Sequence, residues 1–141
     1  MSRYKKGFTF IEMLVVITII AVLTGIGVTS YRVANQKARD GRRKADLEQI
    51  RAALELYRAD QGEYPASVDW PAAGDPLTAG GVTYMSEIPG DPDSNYVYHY
   101  ADTASQSAYD LCAYLETDDS GNCGNASCGD ETCNYKINNP L

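Results

Sequence analysis

Glu12 is a lone carboxylate at the mouth of a stretch, residues 13–31, that carries no charge. A carboxylate in so apolar a setting is costly to desolvate and calls for a cationic partner. The plainer alternative is a side chain that snorkels to a polar boundary at a helix start, where the macrodipole also favours it. Just before it stand Lys5, Lys6, Gly7 and Phe8. A glycine there lets another chain approach the backbone without side-chain conflict. The four cysteines Cys112, Cys123, Cys128 and Cys133 form the second chemically distinctive set, spaced C-x10-C-x4-C-x4-C. With no C-x2-C knuckle, and the only histidine, His99, outside the cluster, two disulfides fit better than zinc. Three pairings are open. Cys112–Cys133 enclosing Cys123–Cys128 is favoured, since it ties a strand to a later one and closes a small Gly/Asn-rich loop. Two oxygen-rich turns, Asp91-Pro-Asp93-Ser-Asn95 and Asp118-Asp119-Ser-Gly-Asn122, complete the inventory. The first lacks the sixth-position glycine and twelfth-position glutamate of an EF-hand. Both read first as solvated acidic turns. No nucleophile–histidine pairing, phosphate-binding glycine loop or His-containing metal cluster is present, so no enzyme is expected.

The elements that must carry these residues follow from hydrophobic patterning. The uncharged run is 19 residues long. About 18 or more such residues suffice to cross a hydrocarbon core, and the remaining chain is too short to wrap a helix of that kind on all sides. The helical signal continues beyond it. Between residues 32 and 60 there is no proline and a single glycine, Gly41. Leu47, Ile50, Leu54 and Tyr57, with Ala53, make one apolar stripe. Opposite charges four apart at Asp40/Lys44, Arg42/Asp46 and Arg51/Glu55 support it, and Gly62 and Pro65 end it. A helix from about residue 8 to 60 would be on the order of 80 Å long, membrane-spanning first and amphipathic after. Residues 62–95 read as a connecting region anchored by Trp70, Val82, Tyr84, Met85 and Ile88. Strands are expected at 95–100, at 107–116 with Tyr109, Leu111, Ala113 and Leu115 on one face, and at 135–137. The fold class is therefore α+β: a long N-terminal helix whose second half carries a small antiparallel sheet head. The expected division is 1–7, 8–31, 32–61 and an acidic head over 62–141 with its cysteine loop.

Charge is segregated along the chain. Residues 1–7 carry Arg3, Lys5 and Lys6, residues 32–58 have a balance of +4, and residues 60–141 one of −13. So acidic a head argues against nucleic acid as a partner. The basic stretch 39–44 could touch DNA or acidic lipid, but this segregation of charge favours contact with the acidic heads of neighbouring copies. Positive residues flank both ends of the apolar run, so a plain positive-inside count would place the C-terminal side in the cytoplasm. The cysteines argue the reverse.

Lys5-Lys6-Gly7 followed by Phe8-Thr-Phe-Ile-Glu12 and the apolar run resembles the leader and mature start of type IV pilins and type II secretion pseudopilins. Leu54-Glu-Leu-Tyr-Arg-Ala-Asp-Gln-Gly-Glu-Tyr-Pro65 is similar to the end of the long helix in the major pseudopilin, and Ile88-Pro-Gly-Asp-Pro92 is a looser match. The resemblance implies a prepilin peptidase that cuts after Gly7 on the cytoplasmic side and N-methylation of Phe8. It implies leader retention by Lys5 and Lys6, and Glu12 pairing with the free amine of an adjacent subunit as the filament grows. The implied partners are further copies in a helical filament, the peptidase, a pilus or secretion assembly platform, and the membrane. The implied location is the inner membrane with the head outside the cytoplasm, then an extracellular or periplasmic filament. No cofactor is expected except, by analogy with major pseudopilins, calcium at Asp118 and Asp119. The chain lacks the proline that many relatives carry in the membrane half of the helix; Gly25 and Gly27 stand there and could permit local unwinding. The cysteines favour a pilin and the Leu54–Pro65 segment a pseudopilin. A DNA-uptake or adhesion subunit is the third alternative.

Overall fold

The computed structural model describes residues 7–103, 105–117 and 123–139, which divide into two compact units, one ending at Gln36 and the other beginning at Lys37. One helix, α1 (Phe10–Gln61), contributes to both. Within the first unit, residues 7–34 are exposed throughout, and the helix there is long and apolar enough to cross a membrane. Two of its threonine hydroxyls bond to its own backbone: Thr18 Oγ1 donates to the Val15 carbonyl at 2.7 Å and Thr29 Oγ1 to that of Ile26 at 3.0 Å. Such back-bonding lets a threonine sit in an apolar run without leaving an unpaired donor. The helix is unbroken through Gly25 and Gly27.

In the second unit the predicted stripe is the core. Leu47, Ile50 and Leu54 are fully buried, Ala53 nearly so, and Tyr57 packs alongside. Gly62, at φ +86°, donates to the Arg58 carbonyl at 2.8 Å and closes the helix in the left-handed conformation that glycine adopts readily. A short 3-10 turn (Ser67–Asp69) follows, then the strands β1 (Leu77–Ala79), β2 (Val82–Met85), β3 (His99–Thr103), β4 (Ala108–Ala113) and β5 (Tyr135–Asn138). β1 and β2 form an antiparallel hairpin, and β3-β4-β5 an antiparallel sheet in that order. Tyr109, Leu111 and Ala113 of β4 join the helix stripe in one core with Tyr64, Leu77, Ile88, Tyr100 and Ile137. Cys112, on the alternate face of the strand, packs instead into a second cluster with Cys128 and Cys133.

Three expectations are corrected. Asn95 to Tyr98 do not belong to β3; Tyr96 bridges to Gly129 and the Val97 amide donates to the Cys128 carbonyl at 3.0 Å, so the cysteine loop takes this segment from the sheet. Val82, expected as an anchor, is exposed, whereas Ile88 is buried. The disulfides are Cys112–Cys123 and Cys128–Cys133. Register gives the reason: Cys112 faces Lys136 across the β4–β5 ladder, so Cys133 lies three residues further along that chain. At about 3.3 Å per residue that is about 10 Å, beyond the ~7 Å limit between bridged Cα atoms.

Candidate functional site

The N-terminal segment begins outside the helix. Gly7, Phe8 and Thr9 precede α1, and Phe8 is 75% exposed, so the Gly7–Phe8 bond lies in non-helical, accessible chain. No heavy atom lies within 4 Å of where a Cβ would stand on Gly7. Two residues on, the helix start is capped reciprocally. Glu12 Oε2 accepts the Thr9 amide at 2.7 Å and the Thr9 hydroxyl at 2.8 Å, while the Glu12 amide donates to Thr9 Oγ1 at 3.3 Å. This is the capping-box arrangement of Thr-x-x-Glu. It holds the Glu12 carboxylate against the first turn of the helix while leaving the residue exposed. The sequence reading passed over Thr9, although Thr9-Phe-Ile-Glu12 carries the signature.

The basic stretch after the membrane-length run is arranged differently from expectation. Arg43 is fully buried, and its guanidinium donates twice to Asp91 at 2.8 and 2.9 Å, and to Asp40 and Glu116 at 2.9 Å each. Arg39 donates to both oxygens of Glu116. Asp40 in turn accepts the amides of Glu116 and Thr117 and the Thr117 hydroxyl. Burial works against charge on Arg43, but hydrogen bonds and attraction from Asp91, Glu116 and Asp40 outweigh it and raise its pKa. Burial also opposes the charge on Asp40, yet its hydrogen bonds hold it below the usual carboxylate range. Glu116 is lowered first by its bonds to Arg39. Arg39 and Arg43 are thus spent inside the subunit and do not reach toward a neighbour's acidic head. Arg42 lies 3.8 Å from Asp46, Arg51 pairs with Glu48 in place of Glu55, and Lys44 lies over the Tyr135 ring.

The oxygen-rich turn at residues 91–95 is likewise committed. Asp91 gives both oxygens to Arg43 and one also to the Asp93 amide, and Asp93 accepts the Asn95 amide. No group of three or more His, Cys, Asp or Glu among the described residues is placed to hold a metal ion. Lys5 and Lys6, and the calcium candidates Asp118 and Asp119, lie outside the described residues. All four cysteines are paired.

A family profile described as the prokaryotic N-terminal methylation motif matches residues 2–28. A second, described as type II secretion system (T2SS), protein G, matches residues 31–130. The chain is 29% identical to the type II secretion system core protein G of Pseudomonas aeruginosa over 117 residues, 77% of this chain and 82% of that one. It is 31% identical to the protein of the same name from Escherichia coli over 116 residues, 76% and 79% of the two chains. It is also similar to a fimbrial protein of Neisseria meningitidis, 29% identical over 90 residues, 64% of this chain and 48% of that one. No solved structure matches.

Proposed function

The chain belongs to the type II secretion system protein G family, and we propose that it is the major pseudopilin of a type II secretion-like system, a structural subunit that polymerises through its N-terminal helix. The observation that carries this reading is continuity. The methylation-motif match covers the Gly7–Phe8 junction and most of the uncharged run, and the protein G match begins as that run ends. In this reading the chain is a substrate and not a catalyst. Prepilin peptidase cuts after Gly7, which offers no side chain to obstruct a protease, and Phe8 becomes the methylated N-terminus. Lys5 and Lys6 hold the leader at the cytoplasmic face. The head lies across the membrane, where its cysteines can oxidise.

On assembly, Glu12 of one subunit meets the Phe8 ammonium of another. Each charge then leaves water with a partner, which offsets most of the cost of desolvating either alone. Because the capping box holds the carboxylate against the first turn of the helix, the pair defines one axial register. The assembly platform and further copies of the chain are the partners, and the product is a periplasmic or extracellular filament. Similarity to a fimbrial protein keeps a pilus as the second reading.

Deleting the gene separates the two. Lost secretion without loss of surface fibres, restored by the wild-type gene, supports the pseudopilin; lost surface fibres with secretion intact supports the pilin. Glu12→Ala is expected to leave cleavage intact while filament incorporation fails. Normal filaments from that variant would refute the register role.

A further inference from the structure

A cleft in the second unit is used by nothing described so far. It has a volume of about 510 Å³, and its lining includes Trp70, Ile88, Tyr96, Val97 and Tyr98 together with Asp91, which Arg43 holds. That is within the ~300–1,000 Å³ typical of clefts that enclose a bound group. The fold fixes its walls. Trp70 stacks on Tyr100 with ring centroids 4.2 Å apart, the Tyr98 hydroxyl donates to Asp46 at 2.8 Å, and the Val97 amide is bonded to Cys128. The side chain of Val97 is exposed. The rim beside Tyr96 is acidic: the Asp93 carbonyl accepts the Tyr96 amide, and the Asp93 carboxylate accepts that of Asn95. Nearby, Asp40, Asp91 and Glu116 are paired with Arg39 and Arg43, two guanidinium groups for three carboxylates, so that cluster leaves no cation over for Asp93.

The complement lies on the first unit. Val28, Tyr31 and Arg32 border one groove on a single helix face, and Tyr31 is 68% exposed. The Arg32 side chain makes no ion pair or hydrogen bond among the described residues. Most cations further along the helix are engaged: Arg39, Arg42, Arg43 and Arg51 by carboxylates, Lys44 over Tyr135, and Arg58 with Tyr64. An exposed aromatic ring beside an uncommitted guanidinium is thus presented by the same chain that carries an aromatic cleft with an acidic rim. Tyrosine supplies large apolar contact with little entropy to lose, and an arginine beside it adds charge pairing and stacking on rings.

We propose that this cleft receives the Tyr31–Arg32 face of the helix of a second copy, with Tyr31 entering beside Trp70 and Tyr98 and Arg32 pairing with Asp93. The proposal rests on the filament reading above and names a head-to-helix contact within it. The test places the photoreactive residue p-benzoylphenylalanine at Val97 of the full-length chain in secreting cells. After irradiation, adducts are mapped by mass spectrometry. The expected product is a dimer joined to residues 28–35 of the second copy. Arg32→Glu should lower its yield about five-fold, the equivalent of a pair worth about 1 kcal/mol. Adding Asp93→Arg should restore it, and Lys37→Glu, on another helix face, should not change it. The same photoreactive residue at Leu23 reports helix–helix contact independently. Dimers from Leu23 without the 28–35 adduct from Val97 overturn the docking contact alone. Adducts from Val97 confined to lipid or to a different protein also overturn it. No dimers from either position would remove the filament reading and this contact together.

Discussion

Arg43→Ala should be among the most damaging single changes in the head. The wild-type guanidinium meets Asp91 through two bonds and Asp40 and Glu116 through one each, at 2.8–2.9 Å. Neither Arg43 nor the Asp91 side chain has any solvent exposure. Removing the cation leaves three carboxylates with Arg39 alone, and leaves Asp91 as a buried charge whose remaining bond is to an amide. Breaking a buried pair from one side costs about 3–5 kcal/mol, a large share of the roughly 5–15 kcal/mol that holds a domain folded. At about 4–8 °C per kcal/mol for a domain of this size, the thermal midpoint should fall by about 12 °C or more. The assay is unfolding of the full chain in detergent, followed by the fluorescence of Trp70, the one tryptophan, which stacks on Tyr100. Arg43→Ala/Asp91→Ala should recover part of the loss, because the stranded charge is gone. A single-mutant cost below about 1 kcal/mol, or a double mutant whose losses simply add, would refute this view of the cluster.

The same cluster sets a pH dependence. Asp40 and Glu116 are held below their ordinary values, so their contribution is complete above the unfolded values of about 4 and is lost as pH falls through the lower folded ones. Urea midpoints should be flat above about pH 5 and drop below about pH 4, with a shallower drop in Asp40→Asn; an unchanged acid limb in that variant would count against the assignment. Gly129→Ala should cost about 2 kcal/mol or more, since a Cβ there would collide with the Asn95 carbonyl oxygen, at a φ of +97°. Amide exchange at Val97 and Asp130 should accelerate in it, and much less in Gly124→Ala, where an added Cβ at φ +66° would meet no heavy atom within 4 Å. Tyr109→Phe should be neutral or stabilising by up to about 1 kcal/mol, because its buried hydroxyl has no hydrogen-bond partner among the described residues. Tyr100→Phe, which loses a bond to the Pro65 carbonyl, should destabilise by a similar amount, and equal urea midpoints for the two would contradict the contrast.

Local periodicity made much of this legible. The stripe of Leu47, Ile50, Ala53 and Leu54 and the inward face of Tyr109, Leu111 and Ala113 are core as read, because helix and strand periods depend only on neighbours in sequence. The hairpin over residues 77–85 was available and missed: Gly80-Gly81, both at positive φ, are a two-residue turn. The disulfide pairing was not available, because it depends on the β4–β5 register, and register is set by long-range pairing. The fate of Arg39 and Arg43 was hidden for the same reason. Asp40 lies three residues from Arg43, but Asp91 and Glu116 arrive from 48 and 73 residues away. In the assembly segment, Gly7, Phe8 and Glu12 stand out by motif alone. Thr9, which holds the Glu12 carboxylate, is visible only when the helix start is read as a capping box.

The central claim is that this chain is a processed filament subunit, and mass spectrometry of its N-terminus in cells tests it most directly. The mature chain should begin at Phe8 with a methylated amine. A wild-type chain that retains residues 1–7, in cells with an active prepilin peptidase, would contradict the account.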